Sequence, residues 1–126
     1  MAFKFNPFTG NFDIVRAPSA GTSPWTLISN TVNASSNLTF DTIALASFKS
    51  AEYIITYTNV TTSDVKSLKL SVVNDNGSLQ DTVRDKKGAN VDVDVSADVS
   101  GSDFQLNFTN NETDNIDISV AKLTLN

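Results

Sequence analysis

Apolar and polar residues alternate one by one along most of this chain, and this period of two constrains the fold more than any other feature. The clearest case is "NVDVDVSADVS" at 90–100. It predicts a strand that points Val91, Val93, Val95, Ala97 and Val99 inward and Asp92, Asp94, Ser96 and Asp98 outward, because successive side chains of a strand face opposite sides. A register shift of one residue would bury the carboxylates, so the two faces are not interchangeable.

The same alternation recurs from about Trp25 to the last residues. It is clear in "AEYIITYT" at 51–58, "VKSLKLSVV" at 65–73, "DFQLNFT" at 103–109 and "NIDISV" at 115–120, and softer in "WTLISNTV" at 25–32 and "NLTFDTIALASF" at 37–48. The spacing in the last of these predicts a break near Asp41. The final "KLTLN" resumes with Leu123 and Leu125 one residue out of phase, which predicts a bulge near Ala121.

Turn-forming residues separate these segments. They are "NDNG" at 74–77, "DKKGAN" at 85–90, "SGSD" at 100–103 and "NNETDN" at 110–115. No window shows the 3.6-residue period of a helix. We therefore predict an all-β domain at 25–126, an antiparallel β-sandwich of about eight strands and jelly-roll-like, because a single open sheet would leave its apolar face in water.

The segment before this domain has a different character. "FKFNPFTGNFDIV" at 3–15 is rich in phenylalanine, and "APSAGTSP" at 17–24 resembles a flexible hinge. Residues 1–24 are therefore predicted to be an extended arm. Its aromatic side chains could fold back onto the sandwich or dock onto another chain, and the second hypothesis gives a predicted partner-binding set of Phe3, Phe5, Pro7, Phe8, Phe12 and Ile14.

Composition argues against several function classes. The formal net charge is −5 and the chain has neither His nor Cys, so nucleic acid is a poor partner and a Ser-His-Asp triad is impossible. No apolar run is long enough for a membrane span, and no signal peptide is recognisable. We expect a non-enzymatic protein without a cofactor, made in a cytoplasm. Asp92, Asp94 and Asp98 are predicted to form a solvated acidic face and not a metal site.

Two parts of the chain resemble known protein families. Phe5, Asn6, Pro7, Phe8, Thr9 and Gly10 form an "FNPFTG" segment that is similar to the N-termini of many small bacteriophage virion proteins. "TIALASFKSAEYIITYTNV", "KLSVVNDNG" and "VDVSADVSGSDFQLNFTN" are similar to a β-sandwich module of phage structural proteins, with Ser50, Glu52, Tyr53, Asn74 and Asp75 among its marks. The resemblance implies a structural role in a virus particle.

Size and architecture favour a capsid decoration, or cement, protein on the virion surface. Its expected partners are other virion proteins, above all the major capsid protein, and the resemblance suggests a homo-oligomer, with a trimer favoured. The alternative is a tail, neck or tail-fibre accessory protein that binds a host glycan or receptor. Trp25, Tyr53 and Tyr57 are the rings on which a sugar could stack, although they could equally belong to the core or to an interface.

Overall fold

The computed structural model describes residues 5–6, 11–12 and 24–126, the first two pairs through their backbone alone. Its strands are β1 Phe5–Asn6, β2 Asn11–Phe12, β3 Thr26–Val32, β4 Asn37–Ala44, β5 Ser50–Asn59, β6 Val65–Asp75, β7 Ser78–Gly88, β8 Val93–Ser100, β9 Asp103–Asn110 and β10 Ile116–Leu125. One turn of 3₁₀ helix, Leu45–Ser47, follows β4.

Strands β3 to β10 form two antiparallel sheets. The larger has the order β3-β10-β5-β6-β7 and the smaller the order β4-β9-β8. The first of these strands pairs with the last, and the second pairs with the penultimate one. The predicted eight-stranded β-sandwich is therefore confirmed. Separately, β1 and β2 pair antiparallel through Phe5 with Phe12 and Asn6 with Asn11.

The core lies between the two sheets and follows the predicted alternation. On β5 and β9 every second side chain is buried, including Tyr53, Ile55 and Tyr57 on the larger sheet. The Tyr57 ring meets Phe108 of the smaller sheet edge to face, with centroids 5.8 Å apart. Edge-to-face pairs of this kind add about 0.5–1.5 kcal/mol beyond their area burial, so aromatic contacts help to join the sheets.

The predicted turns have mixed outcomes. Asn76 and Gly77 connect β6 to β7 with φ of +53° and +91°, which is the left-handed geometry that a two-residue hairpin requires. The turns at 100–103 and 110–115 also connect strands as predicted. The prediction of a turn at 85–90 is wrong in its position. Strand β7 continues to Gly88, and the register shift opposite Ser67 and Lys69 is a bulge that absorbs the turn-forming residues.

Three further predictions concern breaks in the alternation. The break near Asp41 is confirmed as a register shift between Thr39 and Asp41. The bulge near Ala121 is wrong, because β10 pairs with β5 without interruption from Ile116 to Leu125. The inward position of Val99 is also wrong, since this residue is 48% exposed near the end of β8, which lies at the edge of the smaller sheet.

Candidate interaction surface

Because β10 has no bulge, its last residues lie on the opposite faces from those predicted from the sequence. Ile116, Ile118 and Val120 point into the core, so the next inward position belongs to Lys122, while Leu123 and Leu125 fall on the outer face. The ammonium of Lys122 lies 3.0 Å from Oδ2 of Asp41 on the opposite sheet. Leu123 and Leu125 therefore lie on the surface, because the charged Lys122 occupies the inward position in this part of β10.

The lysine belongs to a polar bridge between the sheets. The bulge in β4 turns Asp41 inward, where its Oδ2 also accepts a hydrogen bond of 3.0 Å from the Tyr53 hydroxyl. The side chains of Lys122 and Asp41 are only 17% and 12% exposed. Burial, with the negative charge of Asp41, raises the pKa of Tyr53 above its ordinary value, so the hydroxyl remains a donor.

On the outer face of the larger sheet, the displaced leucines help to line a hollow of about 510 Å³. We call this hollow the apolar groove. Its outward apolar side chains come from four strands or their flanks and are Trp25, Ile54, Val73, Leu123 and Leu125, while the core residues Ala51 and Val72 also border it. Val73 is 50% exposed and Leu125 is 56% exposed. The outward side chains cluster at one end of the sheet, and a clustered, exposed apolar surface is typical of an interaction site.

Strand register extends the apolar surface beyond the groove. Leu27 of β3 lies opposite Ala121 of β10, and Ala121 lies opposite Ile54 of β5. Leu27 is 80% exposed. Towards the other end of these strands, the corresponding outer row carries Ser29, Ser119 and Thr56. One end of this sheet face is thus apolar and the other is hydroxyl-rich.

A charged network forms the border of the groove on the side of β6 and β7. Arg84 forms an ion pair with Glu52 and donates a hydrogen bond to Ser71. The Ser71 hydroxyl in turn donates to Glu52 at 2.7 Å. Lys69, which also lines the groove, has its ammonium 3.7 Å from Asp85. Because these charges are paired with one another, the groove itself offers mainly apolar surface to a partner.

The rings that could have formed a sugar platform are divided between core and surface. Tyr53 and Tyr57 are fully buried, so neither can stack on a glycan. Trp25 is half-buried and lines the apolar groove. The structure therefore resolves the alternatives for the two tyrosines in favour of the core and places Trp25 on the surface.

The acidic residues of β8 and the residues before it face solvent as predicted. The amide of Asn111 donates to Asp92 at 3.2 Å and to Asp94 at 3.0 Å. Asp98 accepts hydrogen bonds from Ser96 and Asn107, and these bonds lower its pKa. Within the part of the chain that the structure describes, no three His, Cys, Asp or Glu side chains are grouped closely enough to hold a metal ion.

Two asparagines fasten the ends of the sandwich. Near the groove, the Asn74 amide donates to the carbonyls of Leu45 and Phe48 at 2.8 and 2.9 Å. At the opposite end, the buried Asn110 donates to the carbonyls of Val32, Asn33 and Asp114. Asn74, Glu52 and Tyr53 are marks of the resemblance to the phage module. In this structure they connect strands and loops.

The predicted partner-binding residues fall outside what the structure describes. Phe3, Pro7, Phe8 and Ile14 lie among the undescribed residues, as does the predicted hinge. Phe5 and Phe12 are described through their backbone only. The groove residues Ile54, Leu123 and Leu125 were not predicted as a site. The sequence signal for the two leucines is the change of phase at "KLTLN". The bulge hypothesis attributes this change to an extra residue near Ala121, whereas in the structure it places Leu123 and Leu125 on the outer face.

Comparison with known proteins gives few matches. No protein-family model matches the chain, and no curated protein matches it. Among solved structures, the fold is similar to part of the tailspike protein of the Acinetobacter phage vB_ApiP_P1, with 9% identity and a TM-score of 0.45 over 92% of this chain. The match spans 26% of the tailspike chain. The described residues include no helix that is both long and apolar enough to cross a membrane.

Proposed function

We propose that the chain is a structural protein of a bacteriophage virion, most specifically a capsid decoration protein that is anchored to the shell by its N-terminal arm. The observation that carries the proposal is the combination of a Phe-rich segment at 3–12 with an exposed apolar surface where the sandwich begins at Trp25. The resemblance of "FNPFTG" and of the sandwich segments to phage structural proteins supports the same class.

The proposed mechanism is mechanical. The arm inserts Phe3, Phe5, Phe8 and Phe12 between shell subunits, while the sandwich remains outside as a rigid body. Each phenylalanine that becomes fully buried contributes roughly 1.5–3 kcal/mol, so a few of them suffice to hold a small domain on a large particle. Pro7 restricts the unbound arm and so reduces the entropy lost when the arm becomes ordered.

The partner in this proposal is the major capsid protein, and the protein is placed on the virion surface as a homo-oligomer. The sandwich architecture supports this proposal, because a β-sandwich presents a stable face and rim to a shell without remodelling. Repetition of one arm at symmetry-related positions would multiply a modest affinity, since linked binding events raise the overall avidity.

Co-sedimentation with phage heads that lack the protein tests the proposal. The full chain is compared with a variant carrying Phe5→Ser, Phe8→Ser and Phe12→Ser, and with a matched variant carrying Leu at the same positions. We expect the wild type and the Leu variant to pellet with heads and the Ser variant to stay in solution, because apolar burial is retained by leucine.

If the wild type does not bind heads, the decoration hypothesis is wrong. Tail complexes and glycan arrays then test the alternative of a tail or receptor-binding role. If the Ser variant binds heads as tightly as the wild type, the protein attaches through the sandwich and the arm is not the anchor.

A further inference from the structure

We infer that the Phe-rich segment at 3–12 occupies the apolar groove of its own chain before the protein meets any partner. The inference concerns the free protein and goes beyond the proposed function. It assigns the groove an occupant and gives the arm a second docking place. The walls of the groove are open to solvent, since Val73 and Leu125 are each at least half exposed. Covering such a clustered apolar surface is favourable.

The position at which the chain joins the domain favours the arm as this cover. Trp25 lines the groove, and β3 begins at the next residue. The arm is thus tethered at the rim of the surface that it would cover. Residues 13–24 can span up to roughly 40 Å when extended. The distance across the groove from β3 to β6 is three strand spacings, or roughly 15 Å. The tether is long enough for the segment to turn back.

The chemistry of the two surfaces also matches. The segment supplies Phe3, Phe5, Phe8 and Phe12, and the groove supplies aliphatic side chains beside one tryptophan. The backbone of Phe5–Asn6 pairs with that of Asn11–Phe12. An isolated two-stranded unit is at best marginally stable in water, so such a unit gains by lying on an apolar surface.

The segment of the same chain is favoured over that of a second copy. A tether of this length holds the segment at an effective concentration that reaches the millimolar range, whereas a dissolved second copy is normally present at micromolar concentration. Intramolecular docking therefore dominates in dilute solution. A consequence is that the aromatic side chains needed for anchoring are shielded from other proteins until a competing surface is present.

The absence of cysteine from the chain makes a crosslinking test clean. One variant carries Phe8→Cys with Val73→Cys at the groove. Its matched control carries Phe8→Cys with Val99→Cys on the smaller sheet, because Val73 and Val99 are 50% and 48% exposed. Each is treated with a short bismaleimide in dilute solution, and intact mass separates an intrachain crosslink from a dimer. Far-UV circular dichroism checks that both variants are folded.

We expect the Val73 pair to form an intrachain crosslink at least about tenfold faster than the Val99 pair, because docking places the segment beside the groove. A dimer crosslinked at Val73 would show that a second copy is the occupant and would overturn the inference. Equal rates for the two pairs, or no crosslink at Val73, would also overturn it. None of these results depends on phage heads, so the inference and the proposed function can fail separately.

A second readout uses Trp25, the single tryptophan of the chain. In the otherwise unchanged full chain, Phe5→Ser with Phe8→Ser should shift its emission to longer wavelength and increase its quenching by acrylamide. The matched control with Leu at both positions should retain the wild-type spectrum. An unchanged spectrum in the Ser variant would contradict docking. This variant has no cysteine in the groove, so its result does not depend on the crosslinking variants.

Discussion

Replacing Lys122 with Met should destabilise the domain much more than a lysine substitution normally does. The ammonium of Lys122 lies 3.0 Å from the Asp41 carboxylate, and the two side chains are 17% and 12% exposed. Methionine keeps most of the aliphatic volume and removes the charge. The variant therefore leaves a carboxylate between the sheets that still accepts a hydrogen bond from the Tyr53 hydroxyl but has lost its ion pair.

The expected loss lies between two limits. Removing one partner of a fully buried ion pair costs about 3–5 kcal/mol, whereas an exposed pair contributes about 0–1 kcal/mol. Because both side chains retain some solvent contact and Tyr53 still donates to Asp41, we expect about 2–3 kcal/mol in the free energy of unfolding. For a domain of this size, that corresponds to a decrease in melting temperature of roughly 10–20 °C.

Urea unfolding followed by Trp25 fluorescence and by far-UV circular dichroism measures the effect. The control is Lys69→Met, since Lys69 and its partner Asp85 have side chains 43% and 51% exposed. Adding Asp41→Asn to Lys122→Met should recover most of the lost stability, because the amide oxygen can still accept from Tyr53 while the buried charge is gone. If Lys122→Met costs no more than Lys69→Met, or if the second substitution recovers nothing, the argument from an uncompensated charge is wrong.

Single substitutions elsewhere in the sandwich should change its stability, its response to pH or its binding. Tyr53→Phe should cost about 1–2 kcal/mol of stability, because it removes the hydrogen bond from the Tyr53 hydroxyl to Asp41. Tyr57→Phe should be neutral or stabilising, because the buried Tyr57 hydroxyl has no hydrogen-bond partner within the described residues. Urea unfolding of the two variants measures both effects. Asn110→Ala should cost about 2–4 kcal/mol in the same assay, since its amide holds three carbonyls. Because the pKa of Asp98 is lowered in the folded state, its contribution is present above about pH 4 and fades as the pH falls through the folded pKa, so melting curves of wild type and Asp98→Asn should differ at pH 7 and converge in acid. Leu123→Ser should tighten binding to heads in sedimentation titrations, because it weakens the groove that we infer to compete with the shell for the Phe-rich segment. Unchanged or weaker binding would contradict that competition.

The alternation in the sequence was sufficient to predict the sandwich and most of its core. A period of two specifies which side chains are buried, and Tyr53, Ile55 and Tyr57 lie where it predicts. The Asn76-Gly77 turn was recognisable for a similar reason, since its positive φ values suit those two residue types. These features depend on local pattern and local backbone geometry.

The features that the sequence did not reveal depend on partners distant in the chain. Lys122 points inward because Asp41, far away in sequence, meets it across the sandwich. A period-two rule treats a lysine as outward, and so it assigned Leu123 and Leu125 to the core and required a bulge. The apolar groove follows from the same contact. The groove cannot be predicted without the contact between Lys122 and Asp41, because only an inward Lys122 places Leu123 and Leu125 on the outer face.

The turn prediction at 85–90 shows a related limit. Glycine and charged residues favour a turn by composition, but the pairing of β7 with β6 continues past them at the cost of one bulge. Cross-strand hydrogen bonds and the contact of Gly88 with Val65 decide the outcome there. A side chain at Gly88 would clash with the Val65 carbonyl oxygen, which explains why a glycine suits that position.

The most direct test of the central claim, that the arm is the anchor, is a cryo-electron microscopy reconstruction of phage heads decorated with the full chain. We predict that the Phe-rich segment at 3–12 can be traced between shell subunits while its own groove has lost that segment. Density that shows the segment still in the groove, with the sandwich alone touching the shell, would contradict the claim.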